Sequence, residues 1–143
     1  MAEFTYNPVQ EIPVGGNAIF YSSIPCNTGC IYHRNESGII ILRGIVNNPT
    51  ANFARYQVTF NGNISIPTAG TVGPISMAIA IDGEPIQTSN AIVTPTAVDA
   101  YFNITSTAII TVPRGCCFNI GIENTSGIAI NLQNANLVAV RTA

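Results

Sequence analysis

Apolar and polar residues alternate with a period of two along most of this chain, the pattern of strands that have one dry and one wet face. It is clearest from Ala54 to Ile66. There Tyr56, Val58, Phe60, Ile64 and Ile66 take one side, and Arg55, Gln57, Thr59, Asn61, Asn63 and Ser65 take the other. In the last third, Ala100, Phe102, Ile104, Ala108, Ile110 and Val112 fall on even positions, with Asn103, Thr105, Thr107 and Thr111 between them. Pro113-Arg114-Gly115 then turns the chain, because proline fixes φ and glycine accepts a positive φ. A strand through Phe118, Ile120 and Ile122 follows, then a second turn at Thr125-Ser126-Gly127 and a final strand. In that final strand parity assigns Ile128, Ile130, Leu132, Val138 and Val140 to the core face, which also turns Asn134 and Asn136 inward. Two unpaired amides in a dry core would each cost about 1–3 kcal/mol. Either a bulge shifts the register between Gln133 and Asn136, which Leu137 at an odd position favours, or these amides meet partners on another copy of the chain.

Upstream, residues 1–16 are polar and carry Pro8, Pro13 and Gly15-Gly16, so they are expected as an extended arm leading into a domain of residues 17–143. Strands are expected over Asn17–Ile24, Cys30–Arg34 and Ile39–Gly44, broken by Asn47-Asn48-Pro49-Thr50. From Ile75 to Asp82 both alternating sets are apolar or small, which predicts a strand covered on both faces. Asp82-Gly83 then signals a tight hairpin into Glu84-Pro85-Ile86, with a further extended stretch over Gln87–Thr94. No segment offers a helical period. About nine to ten short strands in one domain predict an all-β, two-sheet antiparallel sandwich of the jelly-roll kind.

Composition changes this picture in one respect. Of 143 residues, 47% are apolar and only 8% charged, and lysine is absent. A surface so poor in charge would be sticky if left exposed, so the low charge predicts a large subunit contact or a packed assembly, since interface cores are depleted in charged residues. A net charge of −2 with no basic cluster argues against nucleic acid, whose phosphates need grouped cations. No apolar run approaches the roughly 20 residues of a membrane span. The N-terminus lacks the basic and apolar segments of a signal peptide, so the expectation is synthesis in a cytoplasm, with work elsewhere still open, for instance on a virus particle released by lysis.

Candidate chemistry is sparse. Cys26 and Cys30 are spaced C-x3-C, and Cys116 and Cys117 are adjacent. Buried thiols are the favoured reading, with Cys116 inward and Cys117 outward by parity with Phe118. A disulfide between the two regions and a zinc site are the alternatives, though adjacent strand residues point to opposite faces and suit zinc poorly. His33 is the single histidine. It cannot build a several-histidine metal site, and no G-x-S-x-G frames a serine for it to activate, so a solvent-side or interface histidine is expected. Asp82 and Glu84 flank a turn, where Asp serves turn geometry; Asp99 is the other aspartate. The sequons at Asn35, Asn63, Asn103 and Asn124 carry little meaning in so Asn- and Thr-rich a chain. No cofactor, metal or catalytic residue is expected.

The run YFNITSTAIITVPRGCCFNIGIENTS with INLQNANLVAVRT resembles the last three strands of the tumour-necrosis-factor and complement-globular-head superfamily. Arg114-Gly115 takes the place of its short turn, ARYQVTFNGNISI of its long central strand, and SMAIAIDGEPI of the strand before an acidic-Gly hairpin. The resemblance is one of pattern, and it implies a compact homotrimer with the last strand in the sheet nearest the threefold axis. More narrowly the chain is similar to small jelly-roll proteins of phages of Gram-positive gut bacteria, which decorate capsids or cap head fibres. It is also similar to the globular heads of spore-exosporium proteins, without their Gly-x-y repeats. Disulfide-linked spore appendage subunits carry cysteines in an N-terminal connector, which residues 1–16 lack. These resemblances imply a non-enzymatic homotrimer on a virion, docked on a major capsid protein or another virion component through the arm. Tyr101, Asn103, Thr105, Gln133, Asn134 and Asn136 are the expected subunit contact. The alternative is a carbohydrate- or receptor-binding head, for which Tyr6, Tyr21, Tyr32 and Tyr101 are the exposed aromatic candidates.

Overall fold

The structure, a computed structural model, describes residues 1–24, 30–33, 36–44 and 50–142. Among these, twelve strands form two antiparallel sheets. The first sheet has β1 (Ala2–Tyr6), β2 (Gln10–Ile12), β3 (Ser22–Ile24), β6 (Phe53–Ser65), β10 (Phe102–Pro113) and β12 (Ile130–Arg141). Its order is β10-β6-β12-β1-β3, with β2 paired to the other end of β12. The second has β4 (Ile31–His33), β5 (Ile40–Arg43), β7 (Ile75–Ile81), β8 (Glu84–Pro85), β9 (Ala91–Val93) and β11 (Cys117–Asn124), in the order β4-β5-β11-β7-β8, with β9 also on β7. The all-β, two-sheet sandwich expected from the alternation is the one observed. No helix among the described residues is long and apolar enough to cross a membrane.

The long strands follow their alternation. In β6, Tyr56, Val58, Phe60 and Ile64 are fully buried between the sheets, and in β10 Ile104, Ser106, Ile110 and Val112 face them. β7 is buried along nearly its whole length, as its two apolar faces predict. The turn after it is a two-residue hairpin with Asp82 at φ 51° and Gly83 at φ 85°. Two successive positive φ values are what a hairpin matched to the strand twist requires, and Asp-Gly supplies them at low cost. Asp82 also accepts a bond from the Asn119 amide at 3.1 Å, so its carboxylate is occupied with the turn.

Residues 1–16 are not a free arm. β1 lies inside the sheet, paired to β12 on one side and β3 on the other, and β2 pairs with Ile130–Leu132. Ala2, Phe4 and Ile12 are buried in the core. The Ala2/Phe4 against Glu3/Thr5 alternation carries this strand, although Pro8, Pro13 and the glycine pair give the segment the look of a linker. The segment after it crosses between the sheets instead of forming one strand over 17–24. Ala18 donates to the Ile122 carbonyl of β11, and Tyr21 to the Thr5 carbonyl of β1. Ala18 and Phe20 are nonetheless buried, which is why the alternation there reads as a strand.

The core carries a few polar ties between the layers. Tyr56 of β6 reaches across and points its hydroxyl at the carbonyls of Arg43, at 2.5 Å, and Cys30, at 3.1 Å, so one proton is shared by two acceptors of the opposite sheet. His33 stacks on Phe4 with ring centroids 4.9 Å apart, and its Nε2–H donates to the Ser37 carbonyl at 2.9 Å. Of the solvent-side and interface placements expected for this histidine, the solvent-side one is corrected: the ring is half-buried against Phe4 of β1. Asn124, 1% exposed, donates to the carbonyls of Ile12, Pro13 and Ile128.

Replacing Tyr56 by Phe keeps the packing and leaves those carbonyls short of a donor, so urea denaturation is expected to show a loss of about 1–2 kcal/mol. Burial, with a smaller push from Cys117 and an opposing pull from Arg141, raises the Tyr56 pKa above the ordinary 10.0. The folded chain therefore holds this proton more tightly than the unfolded chain does. That contribution is complete below the ordinary value and is lost as pH rises through the raised one. Stability is expected to fall on the alkaline side, and the Tyr56→Phe variant to lack that part of the fall.

Candidate functional site

The outer face of the β10-β6-β12-β1 sheet gathers most of the residues that the sequence marks for contact. Strand register lays them in rows. Asn103, Asn63 and Gln133 form one row, and Thr105, Asn61, Asn136 and Thr5 the next. Thr107, Thr59, Val138 and Glu3 make a third row, Ile109, Gln57 and Val140 a fourth, and Thr111 and Arg55 a fifth. Glu3 and Arg55 are the only charged residues in these rows. The rest is amide, hydroxyl or aliphatic, and Ile109 is 67% exposed.

The amides bond to one another across the strands. Asn103 Nδ2 donates to Asn61 Oδ1 at 2.7 Å and to Asn63 Oδ1 at 3.2 Å, and Thr105 also donates to Asn61. Asn63 Nδ2 donates to Asn134 Oδ1 at 3.2 Å, Asn134 Nδ2 to Asn7 Oδ1, and Asn136 Nδ2 to Glu3 Oε2 at 2.8 Å. This lattice holds its side chains in fixed geometry before any partner arrives. Neither Asn134 nor Asn136 enters the core.

A bulge is the reason. Asn63 pairs with Gln133 and Asn61 with Asn136, so the single residue Gly62 opposes both Asn134 and Ala135. Asn134 takes the left-handed φ of 56°, which asparagine tolerates better than most residues. A Cβ on Gly62 would lie 2.7 Å from Leu132 Cδ1 and 3.2 Å from Phe60 Cζ, so glycine at this position leaves room for those core side chains beside the bulge. Beyond it the parity of β12 reverses: Ala135, Leu137 and Ala139 are buried, while Val138 and Val140 lie half-buried on the outer face. The assignment of Val138 and Val140 to the core is therefore corrected, and the bulge reading of Gln133–Asn136 holds.

Where β1 ends beside this bulge, an open groove of about 460 Å³ is lined by Thr5, Tyr6, Asn7, Pro8, Tyr21, Asn134, Ala135 and Asn136. Tyr6 and Tyr21 pack ring on ring, with centroids 4.4 Å apart and planes inclined by 32°. The end of β1 and the sheet-crossing segment before β3 bring together two tyrosines that the sequence names separately. Tyr101 stands apart, 39% exposed at the start of β10. Tyr32 lies on the other sheet, in a hollow with Ser37, Ile39, Ile41 and Asn119. No sequence signal marks Asn7 as part of the groove, since its role depends on the bulge.

The cysteines divide differently from their parity. Cys116 and Cys117 are both exposed and free at the β10–β11 turn, so Cys116 does not face the core; the turn closed by the Cys116 amide and the Pro113 carbonyl lifts it out. Cys30 is buried and disulfide-bonded, and its bond does not run to Cys116 or Cys117. Cys26 lies outside the described residues. Among the described residues no three His, Cys, Asp or Glu side chains cluster as a metal site would need. Asp99 accepts from the Thr68 hydroxyl at 2.8 Å and so braces a loop. The sequon at Asn124 is closed by burial, those at Asn63 and Asn103 belong to the amide lattice, and Asn35 lies outside the described residues.

Two outcomes follow from these geometries. Asn134→Gly is expected to leave stability within a few tenths of a kcal/mol, whereas Asn134→Val should cost about 1–3 kcal/mol, because a β-branched residue resists positive φ; urea midpoints check both. A thiol reagent applied to the native chain is expected to label Cys116 and Cys117 and not Cys30, as peptide mass spectrometry would read.

No family profile matches this sequence, and no curated protein does. Solved structures do. The globular domain of zebrafish complement 1qA protein superposes with a TM-score of 0.66 at 10% identity, covering 97% of this chain and 94% of that one. The Eiger TNF of S. frugiperda gives a TM-score of 0.69 at 12% identity, covering 100% of this chain and 92% of that one. At such identities the likeness is one of fold: the chain is a jelly roll of the tumour-necrosis-factor and complement-globular-head type.

Proposed function

We propose that this chain is a non-enzymatic structural protein that works as a homotrimer and decorates or caps a bacteriophage particle. The observation that carries the assembly is the outer face of the β10-β6-β12-β1 sheet, nearly uncharged, pre-ordered by its amide lattice and bearing Ile109, Val138 and Val140. Exposed apolar residues on a face with little charge are costly in water and favourable against a surface of the same kind. A second and third copy supply that surface, and closed symmetry uses it without leaving a growing end. Asn103, Thr105 and Ile109 contribute to the contact from the edge strand β10, and Val138 and Val140 from β12. Gln133, Asn134 and Asn136 lie towards its β1 margin, and Tyr101 at the start of β10.

The particle role rests on the resemblance of sequence pattern to small phage jelly rolls alone, and the depletion of charge bears on the assembly. Since residues 1–16 are spent within the sheet, docking on a capsid would use loops or the trimer's outer surface and not the arm. Localisation on the virion follows from this reading.

Light scattering at micromolar concentration is expected to give about three times the 15.1 kDa chain mass. Ile109→Asp, at a position open in the single chain, should leave the circular dichroism unchanged and yield the single-chain mass. A wild-type chain that stays monomeric overturns the assembly. Mass spectrometry of particles released from the producing cell tests the virion role, and consistent absence of the chain overturns it.

A further inference from the structure

We propose that the groove between Tyr21 and the β12 bulge is a binding site for a neutral sugar. The groove shares Asn134 and Asn136 with the β1 margin of the proposed trimer contact, and the proposal rests on the single chain alone. Its volume of about 460 Å³ falls within the usual range of small-ligand sites, about 300–1,000 Å³. Tyr21 is 46% exposed and rests on Tyr6, so its ring is held in place while part of its surface stays open. Such a ring offers a π face with negative character, which suits the weakly positive C–H face of a pyranose.

The polar side of the groove completes the match. Asn134 ties Asn7 to Asn63, which fixes the three amides relative to one another. Asn7 keeps its Nδ2 and Asn136 its Oδ1 without a protein partner among the described residues, so one donor and one acceptor remain to face a ligand. A groove that offers both a donor and an acceptor suits sugar hydroxyls, each of which both donates and accepts. No Asp, Glu, Lys, Arg or His lines the groove. An ionised ligand would lose hydration there and find no counter-charge, which disfavours acidic sugars. The strained φ of Asn134 sits at this spot, and backbone strain and bulges concentrate where a strand re-aims side chains towards a ligand.

The test is saturation-transfer NMR on the full chain, with methyl glycosides of neutral hexoses and N-acetylhexosamines as probes and N-acetylneuraminic acid as the charged control. At least one neutral glycoside is expected to respond, and the acidic sugar to give none. Tyr21→Ala should weaken the response about tenfold or more, an ordinary loss for an aromatic anchor, while Tyr21→Phe retains it. Tyr32→Ala, on the opposite sheet, should leave it intact. Silence from every neutral probe overturns the proposal, as does a response that survives Tyr21→Ala, or one given by the acidic sugar alone. Scattering on the same samples separates this site from the assembly: binding by a chain that proves monomeric supports the groove and removes only the trimer.

Discussion

In a two-layer sandwich the pleat assigns each side chain to the dry interior or to the outside, and one extra residue reverses every assignment beyond it. The bulge at Asn134-Ala135 is such a residue in the strand at the middle of the larger sheet. It sends Leu137 and Ala139 inward and Val138 and Val140 outward. The same shift turns the amides of Asn134 and Asn136 away from a core that could not satisfy them. The packing of β12 in the core, the outward placement of Val138 and Val140, and the groove beside Tyr6 and Tyr21 all depend on that one insertion. Gly62 on the facing strand is its counterpart.

The interior joins the layers with few polar groups, and the main ties run from side chains to backbone carbonyls. Tyr56 bridges from the larger sheet to the carbonyls of Cys30 and Arg43, and Asn124 ties the start of the chain to the β11–β12 connection. These bonds hold the sheets in register, and apolar contacts alone would let them slide. In contrast, the outside of the larger sheet spends its polarity on itself. Its asparagines and threonines bond across strands, which lowers their demand for water and suits them to burial against another copy. A charged face would resist that burial, and a wholly apolar one would invite indiscriminate aggregation.

Much of this was legible in the residues. Alternation in Ala54–Ile66, Phe102–Val112 and Phe118–Ile122 gave the long strands and their buried faces, because a period of two has one structural meaning when it runs over many residues. Asp82-Gly83 gave its hairpin, since few dipeptides accept two positive φ values. The bulge could be inferred from the conflict between Asn134, Asn136 and Leu137, where a regular strand would bury amides and expose a leucine.

What the sequence by itself determined is thus local: strand periodicity, turn chemistry and a surface poor in charge. What the tertiary structure decided is which distant segments share a face. Residues 1–16 read as a linker because Pro8, Pro13 and two glycines outweigh a five-residue alternation, yet β12 offers them a partner and Phe4 a place in the core. Cys116 read as buried by parity with Phe118, but the turn that precedes it breaks the parity. Tyr6, Tyr21, Asn7 and Asn134 are scattered over more than a hundred positions, and no spacing rule could join them. Only the pairing of β1 with the bulged β12 brings them to one groove, because antiparallel register is set by contacts between strands far apart in the chain.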